Sequence, residues 1–163
     1  MLTHHRRPVC LSLISTDLPI CNDVETVATL YQKEDDRFHL LLTEPVENTR
    51  DLLAASHETV IASPLVTTSR LLWLEFSPYR ATLTVQGNGL SYRHLWEQGI
   101  YGLSRYWLHS EPMPQGGQIR LRNFTRSLTL EGKPLPTFLR IDYELWSERF
   151  SLGHYILSLE IQH

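Results

Sequence analysis

The last forty or so residues constrain the fold most. Leu139, Ile141, Tyr143 and Leu145 occupy odd positions, and Arg140, Asp142 and Glu144 fill the even positions between them. Strict alternation of this kind belongs to a β-strand with one buried face, because successive side chains point to opposite sides of the backbone. The pattern resumes beyond Ser147-Glu148-Arg149. Tyr155, Leu157, Leu159 and Ile161 continue the odd set, and His154, Ser158 and Glu160 continue the even one. A three-residue loop at 147–149 pairs Trp146 with Phe150, Glu144 with Leu152 and Asp142 with His154. A register shifted by two sets Glu144 opposite His154 instead. In either register a carboxylate meets a histidine.

The preceding segment, IRLRNFTRSLTL, changes parity partway. Ile119 and Leu121 are odd, whereas Phe124, Leu128 and Leu130 are even. One strand can show both parities only across a bulge, which this pattern predicts near Arg122 to Phe124. A two-residue Gly132-Lys133 loop then opposes Leu130 to Leu135, with glycine supplying the positive φ of a type II′ turn. Upstream, Leu72, Leu74 and Phe76 alternate with Trp73 and Glu75, and Tyr79, Ala81, Leu83 and Val85 follow Ser77-Pro78. A hairpin matching Phe76 to Tyr79 gathers both apolar sets on one face and sets Glu75 against Arg80.

The rest of the chain is more varied. A first strand is expected around Val9 to Ile14, with a turn at Leu18-Pro19 and a frayed terminus at His4-His5-Arg6-Arg7. Residues 23–32 read either as a helix capped by Asp23 or as a strand paired with FHLLLTE across KEDDR; the charged loop favours the hairpin. EPVENTRDLLAAS has the marks of a helix, with Pro45 in its first turn and Glu44 and Glu47 near the positive end of its dipole. Ser91 can cap a second, short helix, YRHLWEQ, closed by Gly99. IYGLSRYWLH is open, and EPMPQGG is a loop.

These elements predict an α+β fold in a single domain over 1–163. One antiparallel sheet, mostly from residues 69–161, carries two or three helices packed on one face. Residues 1–68 supply N-terminal strands and a helix.

The net charge is −3, so the chain as a whole has no electrostatic reason to seek nucleic acid or anionic lipid. No segment has the apolar length that spans a bilayer. Cys10 and Cys21 have neither a zinc spacing nor a redox spacing, and the expected setting is a reducing cytoplasm. No CxxC, HExxH, HxxxH, GxSxG, Walker loop or GxGxxG occurs, so no metal, cofactor or local nucleophile motif is expected.

Two clusters can carry chemistry. The even face Arg140, Asp142, Glu144, His154 and Glu160 places a histidine among carboxylates, a setting in which an acid or base can be tuned. The plainer reading is a wet sheet face. Arg120, Arg122 and Arg126 follow a Gly-Gly loop, with Arg105 nearby, and converging guanidinia can hold a carboxylate or phosphate bidentately. Surface arginines paired with local glutamates are the alternative. Aromatics interleave with arginine in YRHLW, SRYWLH and RNF as they do in single-strand binders. Against the acidic net charge, a core role fits these aromatics better.

LSRYWL at 103–108 followed by RSLTLEGKPL at 126–135 resembles the late part of chorismate pyruvate-lyases and the related effector domains of one transcription-regulator class. The resemblance implies an antiparallel sheet with a closing hairpin at a Gly-basic-Pro turn. The place of that family's catalytic glutamate is taken here by Leu139, and Asp142 and Glu144 come too late, so the resemblance speaks for the sheet and not for lyase activity.

The expectation is therefore a non-enzymatic cytoplasmic protein that binds a protein partner or small ligand. The alternative is an enzyme or sensor for a small carboxylate or phosphate. There Arg120, Arg122, Arg126 and Arg140 would hold the anion, and Asp142, Glu144 and His154 would supply acid–base chemistry.

Overall fold

The computed structural model describes residues 3–44, 70–87, 89–109 and 117–163. They form ten strands: β1 (Thr3–Ser15), β2 (Cys21–Glu34), β3 (Arg37–Glu44), β4 (Arg70–Phe76), β5 (Arg80–Gln86), β6 (Leu90–Glu97), β7 (Tyr101–Leu108), β8 (Gly117–Glu131), β9 (Phe138–Ser147) and β10 (Phe150–Ile161). Each strand pairs antiparallel with the next in sequence, and β1 pairs with β10 to close a barrel.

The expected α+β architecture is thus corrected to all-β, with no helix among the described residues. The physical reason is closure. An antiparallel sheet with one apolar face needs a cover, and a sheet that curls far enough covers itself. The inward residues of β1–β5 are almost wholly aliphatic or aromatic: Val9, Leu11, Leu30, Phe38, Leu40, Leu42, Leu72, Leu74, Phe76, Leu83 and Val85 are all buried. They pack against Leu128, Leu139, Ile141, Leu157, Leu159 and Ile161 in one core.

The sheet also begins far earlier than residue 69. The first 44 residues supply three strands, and His4 to Arg7 belong to β1. Residues 23–32 lie in β2, in the hairpin with β3 that the charged loop favoured. The short helix expected over 92–98 is β6 instead. Tyr92, His94 and Trp96 point inward while Arg93, Leu95 and Glu97 point outward, a period of two and not 3.6. Glu44 ends β3, and the remainder of the helix expected over 44–56 lies outside the described residues.

Registers differ in detail. Phe76 pairs with Ala81 and not Tyr79, so Glu75 faces Thr82, and Arg80 faces Glu97 across β5–β6. The β8–β9 connection runs over Gly132–Thr137, with Glu131 opposite Phe138, and contains a cis Lys133-Pro134 bond. Phe150 pairs with Ser147 across a two-residue turn, and a shift between Ser151 and His154 then sets His154 opposite Glu144.

Candidate functional site

The wall formed by β6–β9 differs from the aliphatic wall opposite. His94, Trp96, Ser104, Asn123, Thr125 and Tyr143 are all buried there, and Tyr92 and Tyr106 border them. Strand pairing brings them together. Ser104 lies opposite His94, Tyr106 opposite Tyr92, and Thr125 opposite Tyr143. Gly102 sits opposite Asn123, and a Cβ on Gly102 would fall 2.0 Å from the Leu95 carbonyl oxygen and 2.8 Å from Asn123 Oδ1. Only glycine allows β6 and β7 to approach this closely while Asn123 turns inward.

A hydrogen-bonded chain runs through the cluster. Asn123 Nδ2 donates to Ser104 Oγ at 2.8 Å. Ser104 Oγ lies 2.7 Å from His94 Nδ1, and Tyr106 OH lies 3.2 Å from His94 Nε2. The links are all satisfied when the serine hydroxyl donates to Nδ1 and Nε2–H donates to the tyrosine oxygen. That arrangement needs a neutral imidazole. Burial enforces it by pushing the His94 pKa down to about 4. Burial likewise raises the pKa of Tyr92, Tyr106 and Tyr143, so the wall carries no charge at neutral pH.

The aromatic rings add a rigid frame. The imidazole stacks on Trp96, and Tyr143 tilts against both, at 5.1 Å from Trp96 and 6.0 Å from His94. Within this frame three buried polar atoms have no hydrogen-bond partner among the described residues: Trp96 Nε1, Asn123 Oδ1 and Thr125 Oγ1. Their residues are 1%, 0% and 0% exposed. An unpaired buried polar atom costs about 1–3 kcal/mol, so three in one cluster call for partners, which ordered water can supply as well as a ligand.

Ser104 and His94 have the hydrogen bond of a nucleophile and its base, but Ser104 is fully buried and the other imidazole nitrogen faces Tyr106, where a catalytic pair has an orienting carboxylate.

The residues nominated from sequence lie elsewhere, on the outer surface. Asp142, Glu144 and His154 are outward and partly buried, and Arg140 is exposed. His154 Nε2 contacts Asp142, and its backbone N–H donates to Asp17 Oδ1 at 3.0 Å. That bond, with one from the Ser15 hydroxyl, holds the Asp17 carboxyl below the usual carboxylate range. Glu144 accepts from Arg126 Nε at 2.7 Å and from Trp146 Nε1 at 3.2 Å. Burial opposes ionisation of Glu144, but these bonds outweigh it and lower its pKa.

The four arginines do not converge. Arg122 donates to the Glu148 carbonyl at 2.8 Å and lies over Tyr101, Arg126 is bound to Glu144, and Arg120 leans on Gln118. Arg126 is the extra residue of the β8 bulge, which falls between Thr125 and Ser127 and not at Arg122 to Phe124. No group of three His, Cys, Asp or Glu side chains among the described residues is placed to hold a metal ion.

Hydrophobicity alone does not mark these interior positions, because the residues that fill them are polar. Alternation in Tyr92-x-His94-x-Trp96 and in Asn123-x-Thr125 is the signal that marks them, once polar side chains are allowed inside.

No protein-family model and no curated protein matches the sequence. The resemblance of 103–108 and 126–135 to the lyase family thus finds no support in these comparisons. Among solved structures, the crystal structure of the ywiB protein from Bacillus subtilis is similar, with a TM-score of 0.56 and 12% identity. The match covers 99% of this chain and 94% of that chain, so the likeness is one of fold.

Proposed function

We propose that this protein is a non-catalytic binding barrel that receives a small uncharged molecule against the inner wall of β6–β9. The carrying observation is the trio of unpartnered buried atoms, Trp96 Nε1, Asn123 Oδ1 and Thr125 Oγ1, set beside a neutral His94. They offer one donor, one acceptor and one hydroxyl that can do either. The surrounding rings of Trp96 and Tyr143 favour a planar body. An anion fits poorly, since no cation of the described residues enters the cluster. A cytoplasmic setting accords with the two free thiols, Cys10 and Cys21.

The test is a thermal-shift and titration series with phenol, indole and benzamide, followed by a crystal structure with the best of them. Saturable stabilisation, abolished by Asn123→Leu with Thr125→Val, and ligand density touching the three atoms are the expected results. Density for isolated waters alone, with no stabilisation by any probe, overturns the reading.

A further inference from the structure

The outer surface carries a second arrangement, independent of the interior wall. Arg93 on β6 lies directly opposite Arg105 on β7, which lies directly opposite Arg120 on β8. Neighbouring strands are about 4.8 Å apart, so three guanidinium stems stand abreast over roughly 10 Å. Like charges directly opposed across a ladder destabilise it. Among the described residues, none of the three forms an ion pair. The arginine–carboxylate pairs present are Arg37–Glu34, Arg70–Glu44 and Arg126–Glu144. Arg105 Nε is buried and has no hydrogen-bond partner among the described residues.

The same cross-strand row continues the other way. Arg93 faces Thr84 on β5, Thr84 faces Trp73 on β4, and Trp73 faces Leu41 on β3. Trp73 is 48% exposed, and with Tyr31, His39 and Leu41 it lines a hollow of about 320 Å³. One cross-strand row thus joins an aromatic hollow to three arginines without an ion pair among the described residues, over four strand spacings or roughly 19 Å measured along the curved barrel wall from Trp73 to Arg120.

We infer that this track binds a short single-stranded nucleic acid, with a base seated against Trp73 and successive phosphodiesters on Arg93, Arg105 and Arg120. The pattern is a stacking platform beside a cationic groove. The span exceeds a single nucleotide. The net charge of −3 is that of the whole chain; the row itself, Leu41, Trp73, Thr84, Arg93, Arg105 and Arg120, includes no carboxylate, and Glu75 and Glu97 stand to one side of it. What acts on a strand is the local charge it meets.

Fluorescence anisotropy with a labelled strand of about ten thymidines tests this. The expected result is saturable binding that weakens with salt, with a log–log slope near −2 for three contacts at about −0.7 each. Arg93→Gln with Arg120→Gln is expected to weaken binding at least tenfold and Trp73→Ala several-fold, while Arg126→Gln leaves it unchanged. Arg105→Gln is expected to weaken binding without lowering Tm, since it relieves repulsion. No binding at low salt, unaltered binding by the Arg93/Arg120 pair, or equal affinity for duplex DNA overturns the inference. Displacement by uridine monophosphate at the same concentration as the strand also overturns it, in favour of a small phosphate ligand.

Discussion

The imidazole of His94 stacks on the indole of Trp96, with ring centroids 5.0 Å apart and planes 3° from parallel. The stack seals the histidine inside the barrel, and its chemistry follows from that enclosure.

Acid should destabilise the protein through this residue first. Its folded pKa, about 4, lies below the unfolded value of 6.5, so the unfolded state binds the proton more readily. Stability is full above pH 6.5 and falls as pH drops towards 4, by about 3 kcal/mol. The titratable groups facing the ring, Tyr92, Tyr106 and Tyr143, stay neutral throughout that window. Asp17 and Glu144, whose folded pKa values are lowered, add their losses only below about pH 4.5. Urea titrations between pH 7 and pH 4.5 should show the decline, and His94→Gln should flatten it.

Gly102→Ala should cost about 2–3 kcal/mol, since the new methyl group would collide with the Leu95 carbonyl oxygen, a backbone atom that cannot step aside. Tm should fall by roughly 6 °C or more. Gly117→Ala is the control. Its Cβ would meet Leu108 at an ordinary 3.5 Å, and Tm should hardly move.

Truncating the aliphatic wall should be expensive and truncating the exterior should not. Leu40 is fully buried, and Leu40→Ala should cost about 2–5 kcal/mol by equilibrium denaturation. Phe150 is 73% exposed, and Phe150→Ala should stay within about 0.5 kcal/mol of the parent.

The two thiols should react at different rates. Cys10 is half-buried, and burial together with Glu25, Asp23 and Glu160 raises its pKa, which keeps it protonated. Cys21 is exposed. Labelling with a disulfide reagent at neutral pH should modify Cys21 several-fold faster, as read by mass spectrometry of the partly labelled protein.

The strands whose inward residues are apolar were legible in the sequence. Leu139, Ile141, Tyr143 and Leu145 do face inward, as do Leu72, Leu74 and Phe76 with Ala81, Leu83 and Val85. The polar wall was not legible by the same rule. Phe124 shares even parity with Leu128 and Leu130, which puts the expected bulge at Arg122 to Phe124, upstream of Arg126. In the structure Phe124 lies partly exposed against Tyr101, with ring centroids 5.0 Å apart. Ser91 and Gly99 frame YRHLWEQ as a capped helix by local signals, although Tyr92, His94 and Trp96 alternate as β6 requires. The outer arginine row depends on three separate strands standing in register, which local spacing does not reveal. Barrel closure is equally remote, because hairpins report only the pairing of neighbours in sequence.

That closure has a kinetic side. Nine of the ten strand pairings join consecutive strands, and the tenth joins Val9 to Ile161 across nearly the whole chain. Most of the ribbons can zip as local hairpins, β3–β4 closes over the 25 residues between Glu44 and Arg70, and this seam waits for the longest loop of all. Until β10 reaches β1, two strand margins with free amides and carbonyls stand open to other chains. The hazard of self-association is therefore greatest just before folding is complete, and the final strand is what removes it.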